Sequence, residues 1–154
     1  MRRKAVCLSL AAIITVSSLM IALPATALAY SPWSDSYTQQ ELMLLARVIH
    51  AEAAGEPYLG KVAVGAVVLN RVRSYIFPDT VEGVVYEPWQ FSCVGNWMFN
   101  SYPGQESIDA AKDALAGWDP TGGALIYFNY HIVTNQWLWA KPAARIIGNH
   151  RFTY

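Results

Sequence analysis

The chain has 154 residues, 54% of them hydrophobic and 13% aromatic, with 11 basic side chains against 11 acidic ones. Removing a 29-residue leader takes three basic residues with it and leaves eight against eleven, a net charge of −3. No basic run then survives to contact phosphates, which excludes nucleic acid as a partner and argues against a firm hold on anionic membrane.

The leader is read from Arg2, Arg3 and Lys4, the uncharged apolar run Val6 to Leu23, and Ala27-Leu28-Ala29 at the positions a signal peptidase recognises. The other reading is an uncleaved anchor, but a run of about 18 residues lies at the short end for crossing a bilayer. The expectation is therefore a signal peptide over 1–29 and one secreted domain over 30–154, with no membrane span after cleavage. Cys7 leaves with the leader, so Cys93 has no partner in the chain. A domain without a disulfide depends on its core, and all six Trp, nine Tyr and five Phe lie in the mature part. That is more aromatic surface than so small a core needs, and stacking on sugar rings is one use for the excess.

Thr38 and Glu41 stand in the spacing of a capping box, with Tyr37 and Leu42 placed as a hydrophobic staple. Leu42, Leu45, Ala46, Ile49 and Ala53 follow at helical spacing, which sets Glu52 at the edge of the apolar stripe beside Leu45 and Val48. Gly55 ends this helix and Pro57 opens a second, to about Arg73, that is apolar on nearly every side and so belongs in the middle of the domain. Thr80 caps a short helix through Val81, Val84 and Val85. Trp89 to Tyr102 reads as an aromatic, amide-rich loop, and a third long helix runs from Gln105 to about Ala116. Beyond the Asp119-Pro120-Thr121-Gly122-Gly123 turn the period changes. Ala124 to Asn129, Gln136 to Ala140 and Arg145 to Ile147 read as strands, and Gly148-Asn149 turns into a last strand to Tyr154. The fold class is α+β: helices first, then a small antiparallel sheet.

A carboxylic acid shielded by two packed helices is costly to ionise, which suits it to donate a proton near neutral pH. Glu52 meets that demand by position, as an acid for cleaving a glycosidic bond. Glu56, next to Pro57, is expected to cap the second helix through backbone N–H groups, while Glu87 is a candidate second carboxylate. Asp109 and Asp113 read as a solvated helix face, and Asp119 as a turn residue. Cys93 followed by His131 and His150 has the chain order of a Cys–His peptidase of cell-wall peptides. His50 and Glu52 are two residues apart and share no helix face. With no paired-ligand motif present, neither metal nor cofactor is expected.

Four stretches in order, AEAAGEPYLGKVAVGAVVLNRV, FPDTVEGVVYEPWQFSCV, AGWDPTGGALIYFN and WLWAKPAARIIGNH, resemble the catalytic module of the spore cortex-lytic, germination-type cell wall hydrolases. The likeness extends over essentially all of Glu41 to Phe152. It implies a lysozyme-like α+β fold and cleavage of peptidoglycan glycan strands, of lytic transglycosylase or muramidase type, at the cell wall or spore cortex. It also implies that the first glutamate of the E-A-x-G-E-P motif, here Glu52, is catalytic. Where the family commonly has arginine this chain has Ala54, so a charge partner is missing beside the motif. Gln90, Phe91, Tyr127, Asn129, Trp137 and Trp139 are the candidates to line a glycan groove, since amides and phenols suit sugar hydroxyls and indole faces suit pyranose rings. Peptidoglycan strands are the expected partner, and an accessory protein is left unassigned. A Cys93-dependent endopeptidase and a non-catalytic peptidoglycan-binding module are the alternatives from other classes.

Overall fold

The structure, a computed structural model, describes residues 37–154. The expected leader and its cleavage site lie outside the described residues. Helix α1 spans Gln39–Ala53, α2 Tyr58–Arg73, α3 Val81–Tyr86, α4 Trp97–Asn100 and α5 Gln105–Leu115. Strand β1 (Ile126–Asn129), helix α6 (Gln136–Ala140) and strands β2 (Ala143–Ile147) and β3 (His150–Thr153) complete the chain. The sheet order is β1-β3-β2, antiparallel throughout. Helices followed by a small antiparallel sheet is the architecture the sequence predicts. No helix among the described residues is long and apolar enough to cross a membrane.

The capping box forms as its spacing demands. The Thr38 hydroxyl accepts from the Glu41 N–H at 3.2 Å, and the Glu41 carboxylate accepts from the Thr38 N–H at 2.8 Å. At the other end of the domain's first hairpin of helices, Pro57 is itself the N-cap of α2, and its carbonyl accepts from the N–H groups of Gly60 and Lys61.

Helix α2 is buried at every residue from Gly60 to Arg71 and packs against α1, α3, α5 and the sheet. Such enclosure requires small residues at the crossings. A Cβ on Gly65 would lie 2.9 Å from Ile49 Cδ1 and 3.1 Å from Ala114 Cβ, so α1, α2 and α5 approach as closely as they do only because that side chain is absent.

Two expectations are corrected. The stretch Trp89 to Tyr102 is not loop throughout, because Asn96 caps α4 by accepting from the Phe99 N–H at 2.8 Å. Gln136 to Ala140 is a helical turn and not a strand. Asn135 accepts from the Trp137 N–H, and the Leu138 and Trp139 N–H groups both reach the Asn135 carbonyl. An Asx cap thus overrides the strand preference of Trp-Leu-Trp.

The link from α5 to β1 is built on Asp119. Its carboxylate accepts from the N–H and hydroxyl of Thr121, the Gly123 N–H and the Asn70 side-chain amide, all between 2.6 and 2.9 Å. Burial opposes its ionisation, but these donors outweigh burial and hold the carboxyl below its ordinary value. A group depressed in the folded state stabilises at pH above its unfolded value, about 3.9, and loses that contribution as pH falls through its lower folded value. Asp119→Asn turns an N–H₂ group toward these donors. It is expected to cost about 1–3 kcal/mol in urea unfolding at neutral pH, with a smaller difference from wild type at pH about 3.

Candidate active site

Glu52 lies in the last turn of α1 and is half-buried. The Tyr127 hydroxyl, from β1, donates to its Oε2 at 3.2 Å. Burial, reinforced by the charge of Glu52, drives the Tyr127 phenol well above its usual range, so it stays protonated and remains a donor. Cys93 is buried against the same carboxylate; burial first, then Glu52, push its thiol up.

Arg71 comes to this cluster from the core helix. Its Nε donates to the Leu125 carbonyl at 2.8 Å, and its guanidinium lies over the rings of Phe77 and Phe91 at 5.2 and 5.1 Å. Burial lowers its pKa, and its electrostatic neighbours, Glu87 and Glu52 among them, oppose that; an arginine keeps its charge at neutral pH even so. His150, from β3, has its ring 5.1 Å from that of Tyr127. Burial lowers its pKa against the opposing charges of Glu56 and Glu52, which leaves it neutral at pH 7. Of the buried side-chain polar atoms without a hydrogen-bond partner among the described residues, Arg71 Nη1, Glu87 Oε2 and His150 Nδ1 lie here, and Arg47 Nε and Arg151 Nε lie elsewhere. Unsatisfied groups are rare in a packed interior, and each calls for a specific explanation, a catalytic role being one.

The glutamates of the motif do separate jobs. Glu56 does not cap α2, which has no side-chain cap. Its carboxylate instead accepts from the Asn149 N–H at 2.8 Å and side-chain amide at 3.0 Å, tying the start of α2 to the β2–β3 turn. Pro57 makes that cap impossible to infer from spacing, because it fills the N-cap position itself. Ala54 is exposed at the end of α1.

The other sequence candidates are distributed. Phe91 is buried beneath Arg71, and Gln90 is half-buried beside Trp89, which is fully exposed with a left-handed φ of 70°. Asn129 accepts from the His131 N–H at 3.0 Å, and Trp137 and Trp139 sit exposed on α6. His131 stacks on Tyr130 at the surface, and the His50 ring nitrogen accepts from the Gly104 N–H. Among the described residues no three His, Cys, Asp or Glu side chains converge as metal ligands would. Asp113 is not merely a solvated residue, for it accepts from the Tyr58 hydroxyl at 2.6 Å; burial and then this aspartate push that phenol up to about 12. A cavity of about 580 Å³ at the start of α1, walled by Gln39, Glu41, Arg47 and Glu82, shares no residue with the Glu52 cluster.

Sequence reasoning missed Arg71. The signal was available: Asn70-Arg71 are the polar break in a helix apolar on all sides, and a charge there must find partners.

A half-buried glutamate at the end of a helix, with a phenol from a small sheet donating to one of its oxygens, is the centre of the candidate site. The family model for cell wall hydrolases matches residues 55–153, so the chain belongs to the cell wall hydrolase family. It is 46% identical over 118 residues to a spore cortex-lytic enzyme of Bacillus cereus, covering 77% of this chain and 46% of the relative. The corresponding enzyme of Oceanobacillus iheyensis is also 46% identical, with 43% of its length covered, and that of Bacillus subtilis 41%, with 38% covered. The chain thus spans less than half the length of these relatives. Among solved structures it is similar to the catalytic domain of the Bacillus cereus SleB protein, at 46% identity and a TM-score of 0.73, covering 77% of this chain and 92% of that one. It is equally similar in fold, at 44% identity and a TM-score of 0.73, to the catalytic domain of the germination-specific lytic transglycosylase SleB from Bacillus anthracis. That match covers 78% of this chain and 98% of the other.

Gly148 tests the Glu56 tie. It takes a φ of +57°, and a Cβ there would fall on the Glu56 carboxylate and 2.7 Å from Pro57 Cδ. Gly148→Ala is expected to destabilise by about 2 kcal/mol or more, from left-handed strain and the displaced hydrogen bonds. Gly55→Ala, with nothing within 4 Å of the new methyl, is expected to unfold within about 0.5 kcal/mol of wild type. Urea midpoints for the two variants check both.

Proposed function

We propose that this chain cleaves the glycan strands of bacterial peptidoglycan as a lytic transglycosylase, outside the cytoplasmic membrane, with Glu52 as acid and then base. The observation that carries the reading is the hydrogen bond from Tyr127 to Glu52 Oε2, at the motif glutamate of a chain nearly half identical to a solved lytic transglycosylase domain. In the proposed cycle Tyr127 holds Oε2 and Oε1 carries the acid proton. A signal peptide over residues 1–29 is the proposed means of delivery.

The proton on Oε1 passes to the glycosidic oxygen between N-acetylmuramic acid and N-acetylglucosamine as the bond from that oxygen to C1 breaks. The glucosamine chain leaves with its 4-hydroxyl restored. The muramic 6-oxygen then attacks C1, and its proton goes to Glu52, which ends the cycle as it began. No water is consumed and a 1,6-anhydro ring terminates the cut strand. Water attacking in place of the 6-oxygen would give the muramidase product instead. Gln90, Asn129, Trp137 and Trp139 remain the proposed contacts to sugar. Phe91 supports the site from beneath Arg71.

A peptidase centred on Cys93 finds no support in these surroundings. A nucleophilic cysteine requires a thiolate, whereas this thiol is buried and held protonated.

Digestion of purified peptidoglycan tests the reading. Wild type is expected to release anhydro-muropeptides, and Glu52→Gln to lower that release by about a thousandfold or more, the scale of a lost general acid. Reducing-end muramic acid in place of the anhydro product would refute transglycosylation. Cys93→Ser is expected to give the same anhydro products as wild type, and released peptides lost in that variant would point to a peptidase.

A further inference from the structure

The turn Glu87-Pro88-Trp89-Gln90 is closed by the Gln90 N–H, which donates to the Glu87 carbonyl at 3.3 Å. A trans proline in its second place and a φ of 70° in its third make it a type II turn. The third place of such a turn favours glycine, because a side chain there crowds the backbone. This chain sets a tryptophan in it. Among the described residues Trp89 is the only one besides glycine with a positive φ.

Packing does not offset that strain. The indole is fully exposed, and no ring contact or hydrogen bond to another described residue holds it. The turn itself is fixed from its two flanks. Glu87 Oε2 is buried on one side. On the other, Phe91 lies beneath the Arg71 guanidinium and Cys93 is buried against Glu52. The segment thus leads outward from the proposed acid: Cys93 at the carboxylate, Phe91 under the guanidinium, and Trp89 at the open end. Four residues separate Trp89 from Cys93, a span of at most about 14 Å. A costly backbone conformation that serves no contact within the fold, beside a candidate site, points to a contact made with something else.

We propose that Trp89 is a stacking platform for a pyranose ring of the glycan strand, at a sugar beyond the linkage that is cut. The inference rests on the reading of the chain as a glycan-strand enzyme. An indole face is broad, flat and apolar, which suits the C–H face of a pyranose. Gln90, half-buried beside it, offers an amide to the hydroxyls at the edge of such a ring. A ring held out by a pinned turn has little freedom left to lose on binding, so the strain presets it in the path of the strand.

Binding to peptide-free glycan strands tests the proposal, measured in the cold with Glu52→Gln as the background so that the strands persist. Trp89→Ala is expected to weaken binding about tenfold, the scale of half-burying one large apolar side chain. Trp89→Tyr should recover most of that loss. Trp89→Gly separates binding from folding. With the left-handed strain relieved, its urea midpoint is expected at or above that of the background, while its binding stays as weak as that of Trp89→Ala. Tyr102 is exposed too, but it stands next to the Gly104 contact with His50, which shares no face of α1 with Glu52. Tyr102→Ala is therefore expected to bind as the background does. With Glu52 intact, the loss in Trp89→Ala should fall on KM for the strands rather than on kcat. Unchanged binding in Trp89→Ala, or an equal loss in Tyr102→Ala, would overturn the proposal. So would a lowered midpoint in Trp89→Gly, which would give the indole a structural role. A loss seen on whole peptidoglycan but absent on peptide-free strands would overturn it as well, making peptide the partner. Strand cleavage that survives Glu52→Gln would instead refute the acid, and the binding comparison would remain readable.

Discussion

The structure depends on the enclosure of α2. A helix buried on all sides gains much from its valines and small residues, but it carries Lys61, Asn70 and Arg71 into the interior as well. Each must find a partner, because an uncompensated buried polar group costs about as much as several good contacts contribute. Lys61 finds Glu106 at the start of α5. Asn70 reaches Asp119 and the Ala124 carbonyl, and Arg71 the Leu125 carbonyl. The last two demands fix where the chain enters β1. Two residues further on, Tyr127 arrives at Glu52. The sheet thus meets Glu52 because the core helix must satisfy its own polar groups.

This explains why neighbouring glutamates of one motif differ so much in role. Glu56 is used structurally, bonded twice to Asn149 and sealing the β2–β3 turn against the start of α2. Glu52, four residues earlier and still within α1, instead meets a phenol, a buried thiol and the field of a buried guanidinium. The close approach at Gly148 that Glu56 requires and the tyrosine contact that Glu52 makes come from the same sheet.

Much of this was legible in the sequence. The capping box at Thr38, the apolar second helix and the position of Glu52 at a stripe edge follow from local spacing, and all are local features. What escaped reading was non-local or decided by a single cap. Arg71 depends on the Leu125 carbonyl, 54 residues on, which no periodicity encodes, whereas Asp119 is the turn residue expected of it and only its bond to Asn70, 49 residues back, is non-local. Gln136 to Ala140 was misread because Trp-Leu-Trp alternates like a strand, while Asn135 closes a helical turn with one side-chain acceptor. The consequence is geometric. As a strand, Trp137 and Trp139 would share a face. In a helix, residues two apart point in nearly opposite directions, so Trp139 turns to Phe128 and Arg151 while Trp137 faces outward under Lys141.

Glu52, the proposed acid, therefore sits at a seam, on a helix of one half and held by a phenol of the other. General acid chemistry tolerates little error in position, and about 1 Å of misplacement can cost two orders of magnitude in rate. A sheet of three short strands is at the lower limit of independent stability. Three tethers fix it to the helices: Asn70 and Arg71 at the entry to β1 and Glu56 at the β2–β3 turn. They flank Tyr127 along the sheet, so a shift that carried the phenol away from Glu52 would break at least one buried or bidentate contact. The rigidity that a disulfide supplies in other small domains comes here from polar groups that the buried helix obliges the sheet to satisfy.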